Sequence, residues 1–241
     1  MAFGKDKKAE EHADQASTEI EAVSNHLPAD MSLADQIKAD LAAVANQVEG
    51  NIVERIRLSS KGFTTPDGET GETLTCVIVD FATANNYYAQ PFDRDNPTPP
   101  DCWAVSKIPS DLKPDSSVSD PQAESCSVCP MNKFESGVGK SKACKNTRLL
   151  AIMQLDAADD SPIWLLSVPP SSIRNFDTYV STTLKGRHNV TPAMVVTQIY
   201  MDPNKTYPAP RCKFERLLSE EELMFYYSRR PEAEAVLLQK K

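Results

Sequence analysis

A chain of 241 residues with 40% hydrophobic residues is long enough to bury one sizeable core, with an appendage beside it. Its formal net charge of −8 argues against a protein that coats nucleic acid with its whole surface, but it allows a local basic groove. No apolar run approaches the length of a membrane span, and the charged N-terminus lacks the apolar stretch of a secretory signal, so we expect a cytoplasmic protein with no membrane partner.

The first 50 residues predict an acidic, helical and partly disordered appendage. Residues 5–21 are polar and contain few large apolar side chains. After Ser32, a candidate N-cap, apolar residues recur at helical spacing up to Gly50, at Leu33, Ile37, Leu41, Val44 and Val48. This helix would pack on the main domain or on a sister subunit, which would make a homo-oligomer. The alternative is a regulatory arm that covers a basic site.

The period of the apolar residues changes to two after residue 50. Ile56 and Leu58 alternate with Arg55 and Arg57, which predicts a half-buried strand. The sequence Thr-Pro-Asp-Gly at 65–68 then indicates a turn.

Residues 74–81 form a β-branched run that is typical of a central strand, and the polar and aromatic residues 85–92 predict the next strand. Residues 93–125 are rich in Pro, Asp and Ser, so we expect a long irregular segment there. Four further strands are predicted at residues 148–155, 163–168, 193–201 and 211–218.

Two helices are predicted in the second half of the chain. The first would begin at Ser171 or Ser172 and end at Gly186. Its inward residues would be Ile173, Phe176, Val180 and Leu184. The second would open with a capping box at Ser219 and run through Tyr227.

Several strands with one helix inserted late predict a mainly β (α+β) fold, a five- or six-stranded antiparallel barrel of OB type. The chain would then divide into the appendage, residues 1–50, and an OB-like domain, residues 51–241. A metal-binding insertion would occupy about residues 93–148 of that domain.

The cysteines at positions 102, 126, 129 and 144 are the strongest chemical signal. A Cys-x2-Cys pair, here Cys126 and Cys129, lets two thiolates reach one tetrahedral metal from a single turn, and Cys144 with Cys102 would complete the shell. In a cytoplasmic chain cysteines stay reduced, which favours a metal over disulfides. Sulfur ligands indicate structural Zn²⁺, although iron could occupy the same site.

The alternative is that these cysteines are reduced core residues that pack as small hydrophobes. The Ser, Lys, Asn and Gly residues around positions 126–144 argue against a core environment. Cys76 lies in an apolar run and is interpreted as core. The fourth ligand stays open between Cys102 and Cys212.

The segment between the cysteines is basic and lies close to several aromatic residues. Binding of single-stranded nucleic acid needs positive charge for the phosphates and exposed rings on which bases stack. Core packing is the alternative role of each ring, and a solvated surface is that of each lysine. The candidate residues are Tyr87, Tyr88, Trp103, Lys133, Phe134, Lys140, Lys142, Lys145, Arg148 and Arg174.

No motif of a known enzyme class is complete in this sequence. Residues 137–141, Gly-Val-Gly-Lys-Ser, lack the glycine spacing of a phosphate-binding loop. A zinc-dependent nucleotide deaminase needs a His-x-Glu upstream of its Cys-x2-Cys, and no His-x-Glu is present. We therefore predict that the protein is not an enzyme.

The order of these motifs resembles that of zinc-containing single-stranded DNA-binding proteins encoded by bacteriophages. The resemblance covers about residues 50–215. It is carried by Tyr87-Tyr88, Cys102-Trp103, Cys126-x2-Cys129-Pro-x-Asn132, Lys140-x-Lys142-Ala-Cys144-Lys-Asn-x-Arg148 and Val168-Pro-Pro-Ser-Ser172-x3-Phe176.

Membership of that family would imply an OB-like fold, structural zinc, and protection of single-stranded DNA during replication or recombination, with proteins of those processes as partners. It would make Cys102, Cys126, Cys129 and Cys144 the metal ligands. It would also place Lys140, Lys142, Lys145 and Arg148 along the DNA path. One feature departs from the family, because this chain ends in Lys240-Lys241 rather than in an acidic tail.

A structural or interaction protein is the competing hypothesis. In that case zinc would pin a loop of a phage assembly component, and the N-terminal helix would mediate oligomerisation.

Overall fold

The computed structural model describes Gln36 and residues 54–90, 98–155 and 157–239. The backbone divides into two units, Met1–Ile52 and Val53–Lys241, and the fold described here belongs to the second. Apart from Gln36, which is helical, the predicted N-terminal helix lies outside the described residues, as does its role in oligomerisation. Among the helices that the structure describes, none has the length and apolar character needed to cross a membrane.

The described residues form one curled, open, mixed sheet of nine strands, which makes a half-barrel. Its order is β3-β2-β1-β7-β6-β4-β8-β9, and β5 pairs with the end of β4. The strands are β1 (Arg55–Leu58), β2 (Phe63–Thr64), β3 (Thr70–Gly71), β4 (Thr73–Tyr87), β5 (Cys102–Ser106), β6 (Lys145–Gln154), β7 (Trp164–Val168), β8 (Val195–Met201) and β9 (Pro210–Leu217).

β4 is the central strand, and it is much longer than predicted. Residues 85–87 were expected to begin a separate strand, but they continue β4; all three pair with β5, and Asn85 and Asn86 also pair with β6. A β-bulge explains how one strand can run so far. Ile78 pairs with Ile152 and Asp80 with Ala151, so Val79 is an additional residue that bends the strand.

Side chains of β4 alternate between the two faces of the sheet, and the bulge shifts this alternation by one residue. On one face, Ile78 and Phe81 pack with Phe176, whose ring lies 5.2 Å from that of Phe81 in an edge-to-face contact. On the other face, Val79 and Ala82 pack against the C-terminal helices. β4 is therefore covered on both sides, which explains its nearly continuous apolar sequence.

The helices agree only partly with the predictions. α1 (Ile173–Thr178) continues as π-helix through Tyr179–His188, so the predicted end at Gly186 is wrong. The helix ends instead at Asn189, whose φ of 55° is the left-handed conformation that Asn tolerates well. α2 (Glu220–Ser228) has the predicted capping box, and α3 (Arg230–Leu238) follows it unpredicted.

The expectation of a mainly β, barrel-like α+β fold is confirmed at that level. The strand number and the purely antiparallel arrangement were wrong, because β1 pairs in parallel with β7. Local alternation in Arg55–Leu58 predicted β1 correctly, but it could not indicate the direction of its neighbour.

Candidate metal centre and nucleic-acid interface

The structure brings the four predicted metal-ligand cysteines to one cavity. Cys102 opens β5, Cys144 directly precedes β6, and Cys126 and Cys129 lie in the loop between these strands. All four are buried and line the same cavity, whose volume of about 10 Å³ admits about one water-sized sphere. Cys212 lies on β9 among core residues and does not line this cavity, so Cys102 is the candidate fourth ligand.

Backbone hydrogen bonds hold the cysteines in these positions. The amide of Cys126 donates to the carbonyl of Leu112 at 3.0 Å, and the amide of Cys144 donates to Met131 at 2.8 Å. A short 3₁₀ turn, Pro130–Asn132, follows Cys129 and returns the chain toward the cavity. The turn at Cys126–Cys129 is local, whereas Cys126 and Cys144 are each held by a residue 13 or 14 positions away in the chain.

The electrostatics of the cavity disfavour ionised thiols in the absence of a cation. Burial raises the pKa of the Cys144 thiol to about 12, and repulsion from the thiolates of Cys126, Cys129 and Cys102 adds to that rise. Burial also raises the pKa of the Cys126 thiol. A divalent cation would reverse this balance, since it deprotonates the thiols that coordinate it.

Asn85 provides an independent sign of thiolate chemistry. Its side chain is buried at the end of β4, and among the described residues its Nδ2 has no hydrogen-bond partner of standard geometry. This amide lies beside the Cys126 sulfur and lowers the pKa of that thiol, against the larger effect of burial. An N–H group beside a sulfur stabilises the thiolate that a metal requires.

The described residues contain no group of three or more His, Cys, Asp or Glu side chains already arranged around a metal position. Four soft thiols, the donor type that zinc prefers, nevertheless line this one cavity. Binding would require the sulfurs to move to about 2.3 Å from a shared centre.

Asparagine side chains connect the cysteine cavity to the loop between Cys129 and Cys144. Asn146 on β6 donates to Asn85 and, at 3.0 Å, to Oδ1 of Asn132. The same oxygen accepts from Lys142 Nζ at 3.2 Å, and Asn132 itself donates to the Cys126 carbonyl at 2.8 Å. None of these roles follows from spacing alone, although a polar Asn85 at the end of an apolar strand is a signal that sequence reasoning could have used.

The loop between Cys129 and Cys144 has a tight backbone. The Gly137 amide donates to the Ser141 carbonyl at 3.0 Å. A Cβ on Gly137 would lie 2.8 Å from the carbonyl carbon of Lys142 and 2.9 Å from the Ala143 nitrogen, so only glycine fits this approach. Ser136 hydroxyl accepts from the Ala143 amide at 3.0 Å and closes the loop.

This loop presents cations and one aromatic ring to solvent. Phe134 is 75% exposed, and Lys142 Nζ lies 5.2 Å from the centre of its ring. The predicted lysines of the loop make no ion pair with any residue that the structure describes; they are Lys133, Lys140, Lys142 and Lys145. We call this set, with Phe134, the basic loop.

The other predicted nucleic-acid residues lie in different environments. Trp103 is only 6% exposed beside the cysteine cavity, so it offers no free face to a base. Tyr87 is half-buried at the same cavity, whereas Tyr88 is exposed. Arg174 is exposed on α1, and Arg148 is bound to Asp177, a residue that sequence reasoning missed.

Comparison with protein-family models, with curated proteins and with solved structures found no match.

Proposed function

We propose that this protein binds single-stranded DNA, which it coats and protects during bacteriophage replication or recombination in the host cytoplasm. The observation that carries the proposal is the basic loop, where Phe134 is exposed beside Lys142 and none of the four lysines makes an ion pair with a described residue. Binding of single strands needs cations along the phosphate path and rings on which bases stack, and this loop offers both. Exposed Tyr88 and Arg174 are the candidate contacts outside the loop.

We further propose that structural Zn²⁺ holds the basic loop in place through Cys102, Cys126, Cys129 and Cys144. Four thiolates leave no open coordination position, so the metal would have no catalytic role. Support comes from the small size of the apolar cluster under the loop, where the described residues are Ala104, Leu112 and Cys126. So small a cluster supplies little burial energy, and metal binding would supply the rest.

An OB-like architecture belongs to the same proposal. A curled sheet with an inserted helix and a long insertion between β5 and β6 supports it. OB-type half-barrels carry single strands on one face, with loops completing the site.

A fluorescence-anisotropy titration with a labelled oligothymidine tests the proposal, at two salt concentrations and with a duplex competitor. We expect a preference for the single strand and a decrease in affinity with salt. Replacing Lys140, Lys142 and Lys145 with Ala should reduce the slope of log K against log salt by about 2, since each phosphate contact on a single strand contributes about 0.7.

The matched control replaces three exposed lysines outside the loop, Lys61, Lys205 and Lys213, and makes the same change in net charge. If the two triple variants lose affinity equally, the basic loop is not the binding site. If metal-loaded wild-type protein does not bind the oligonucleotide at low salt, the proposed function is wrong.

One observation favours a second candidate function, a protein-docking loop in a phage assembly component. Val128 in the Cys-x2-Cys turn and Val138 between Cys129 and Cys144 are both highly exposed, and exposed apolar groups are typical of contact surfaces. This candidate predicts a defined oligomer or complex without affinity for nucleic acid. Mass measurement in solution, beside the titration, separates the two candidates.

A further inference from the structure

Arg148 and Asp177 form a forked ion pair beside the basic loop. Arg148 Nε donates to Asp177 Oδ1 at 3.0 Å, and its NH2 donates to Oδ2 at 2.9 Å. The pair joins β6 to α1, and the two side chains are 16% and 45% exposed. A two-point contact of this kind is the geometry in which a guanidinium also binds a phosphate.

The pair lies next to a row of polar side chains that leads from the basic loop, formed by Lys142, Asn132 and Asn146. We call this row, with Arg148 and Arg174, the polar track. Arg148 lies two residues after Asn146 on β6, so both side chains are on the same face of the strand. Asn146 shares the Asn132 oxygen with Lys142. On the far side of the pair, exposed Arg174 lies three residues before Asp177 on α1, and residues at this spacing share a helix face.

We propose that Arg148 is a phosphate subsite that Asp177 closes in the free protein. A backbone phosphate of the bound strand takes the place of the Asp177 carboxylate on the arginine fork, and the carboxylate turns to solvent. This inference depends on the proposed function, since the phosphate belongs to the single strand bound at the basic loop.

The partial exposure of Asp177 makes this exchange feasible. A buried carboxylate that lost its arginine would be left without compensation, at a large cost in free energy. A carboxylate that is 45% exposed can be hydrated after it leaves. The Asp177 carboxylate remains close to the incoming phosphate, however, so its negative charge lowers the affinity of Arg148 for that phosphate.

The test is Asp177→Asn, which removes the charge and keeps the shape. We expect oligothymidine to bind about fivefold more tightly, because one like charge about 4 Å from a phosphate in water is removed. The slope of log K against log salt should become steeper by up to about 0.7, because in the wild type the freed Asp177 carboxylate takes up a cation and so offsets the counterion that the phosphate releases. In an Arg148→Gln background the same substitution should leave the slope unchanged.

The matched control is Glu232→Gln. Glu232 pairs with Arg229 at 2.7 Å on α3, and the exposures of that arginine and glutamate are 15% and 50%, close to those of the proposed pair. This control changes the net charge equally, outside the track. If both variants change affinity and slope to the same extent, the subsite is refuted while the proposed function stands.

A measurement on the wild-type protein covers the case in which Asp177→Asn is unstable. The Arg148 Nε–H resonance in ¹⁵N-labelled protein should shift when saturating oligothymidine is added, because its acceptor changes from carboxylate to phosphate. An unchanged resonance at saturation overturns the subsite. Absence of any oligonucleotide binding overturns the proposed function, and the subsite with it.

Discussion

Phe134→Ala separates binding from folding most sharply. Phe134 is 75% exposed, so folding removes only about a quarter of its side-chain surface from water. With a full burial of about 200 Å² for such a ring, about 50 Å² is removed from water, which at about 25 cal/mol/Å² contributes about 1 kcal/mol to stability. Stacking on a base is worth about 1–3 kcal/mol. The substitution should therefore weaken oligothymidine binding about 5- to 150-fold and leave the protein folded.

The matched control for this prediction is Tyr207→Ala. Tyr207 is 46% exposed on the β8–β9 hairpin, and Lys205 Nζ lies 5.9 Å from its ring centre, so the chain contains a second aromatic–lysine pair outside the basic loop. Anisotropy titrations of both variants, with thermal unfolding as a check, decide the outcome. Affinity of Phe134→Ala within twofold of wild type, or an equal loss in Tyr207→Ala, would refute the stacking role. A Phe134→Trp variant should retain binding.

Three further predictions concern the metal site and the C-terminal helices. Metal analysis should find one zinc per chain in the wild type. Cys144→Ser should lose this zinc and Cys212→Ser should retain it. Equal zinc content in the two variants would contradict the ligand assignment. Gly137→Ala should release zinc to a chelator at lower chelator concentration than wild type, because its Cβ meets backbone atoms at 2.8 and 2.9 Å; unchanged zinc retention would mean that the close approach does not matter. Hydrogen bonds from Arg216 and from the Ser219 amide lower the pKa of Glu222 to about 2. Since this is below its unfolded value of about 4.3, the stabilisation is complete above about pH 4.3 and is lost as the pH falls toward 2. The stability difference between wild type and Glu222→Gln in urea unfolding should shrink over that interval, and a constant difference would contradict the assignment.

Long-range pairing limited the fold prediction. Alternation predicted β1, and apolar runs predicted the later strands, because both patterns depend on neighbouring residues alone. The β4 bulge at Val79 and the parallel pairing of β1 with β7 depend on partners about 70 to 110 residues away. Both are invisible to a local pattern, and this is why a separate strand after residue 81 was predicted in error.

In the candidate site, too, local sequence predicts some features and only the fold decides others. The spacing of Cys126 and Cys129 predicts a shared turn, but only the fold distinguishes Cys102, which lines the cavity, from Cys212, which packs against the core on β9. The residues beside Trp103 in the sequence made it a candidate stacking ring. Its burial follows from the pairing of β5 with β4. Asp177 could not be associated with Arg148 before α1 was placed against β6.

The sequence by itself determined the features that are encoded over a few residues: the strand periods, the turn at residues 65–68, the capping box at Ser219, and the sulfur chemistry and positive charge of residues 126–148. These features depend on propensities and side-chain types that do not require a distant partner. The tertiary structure alone decided which cysteines share a cavity, which rings stay exposed and which arginine is already paired, because burial and ion pairing arise only when distant segments meet.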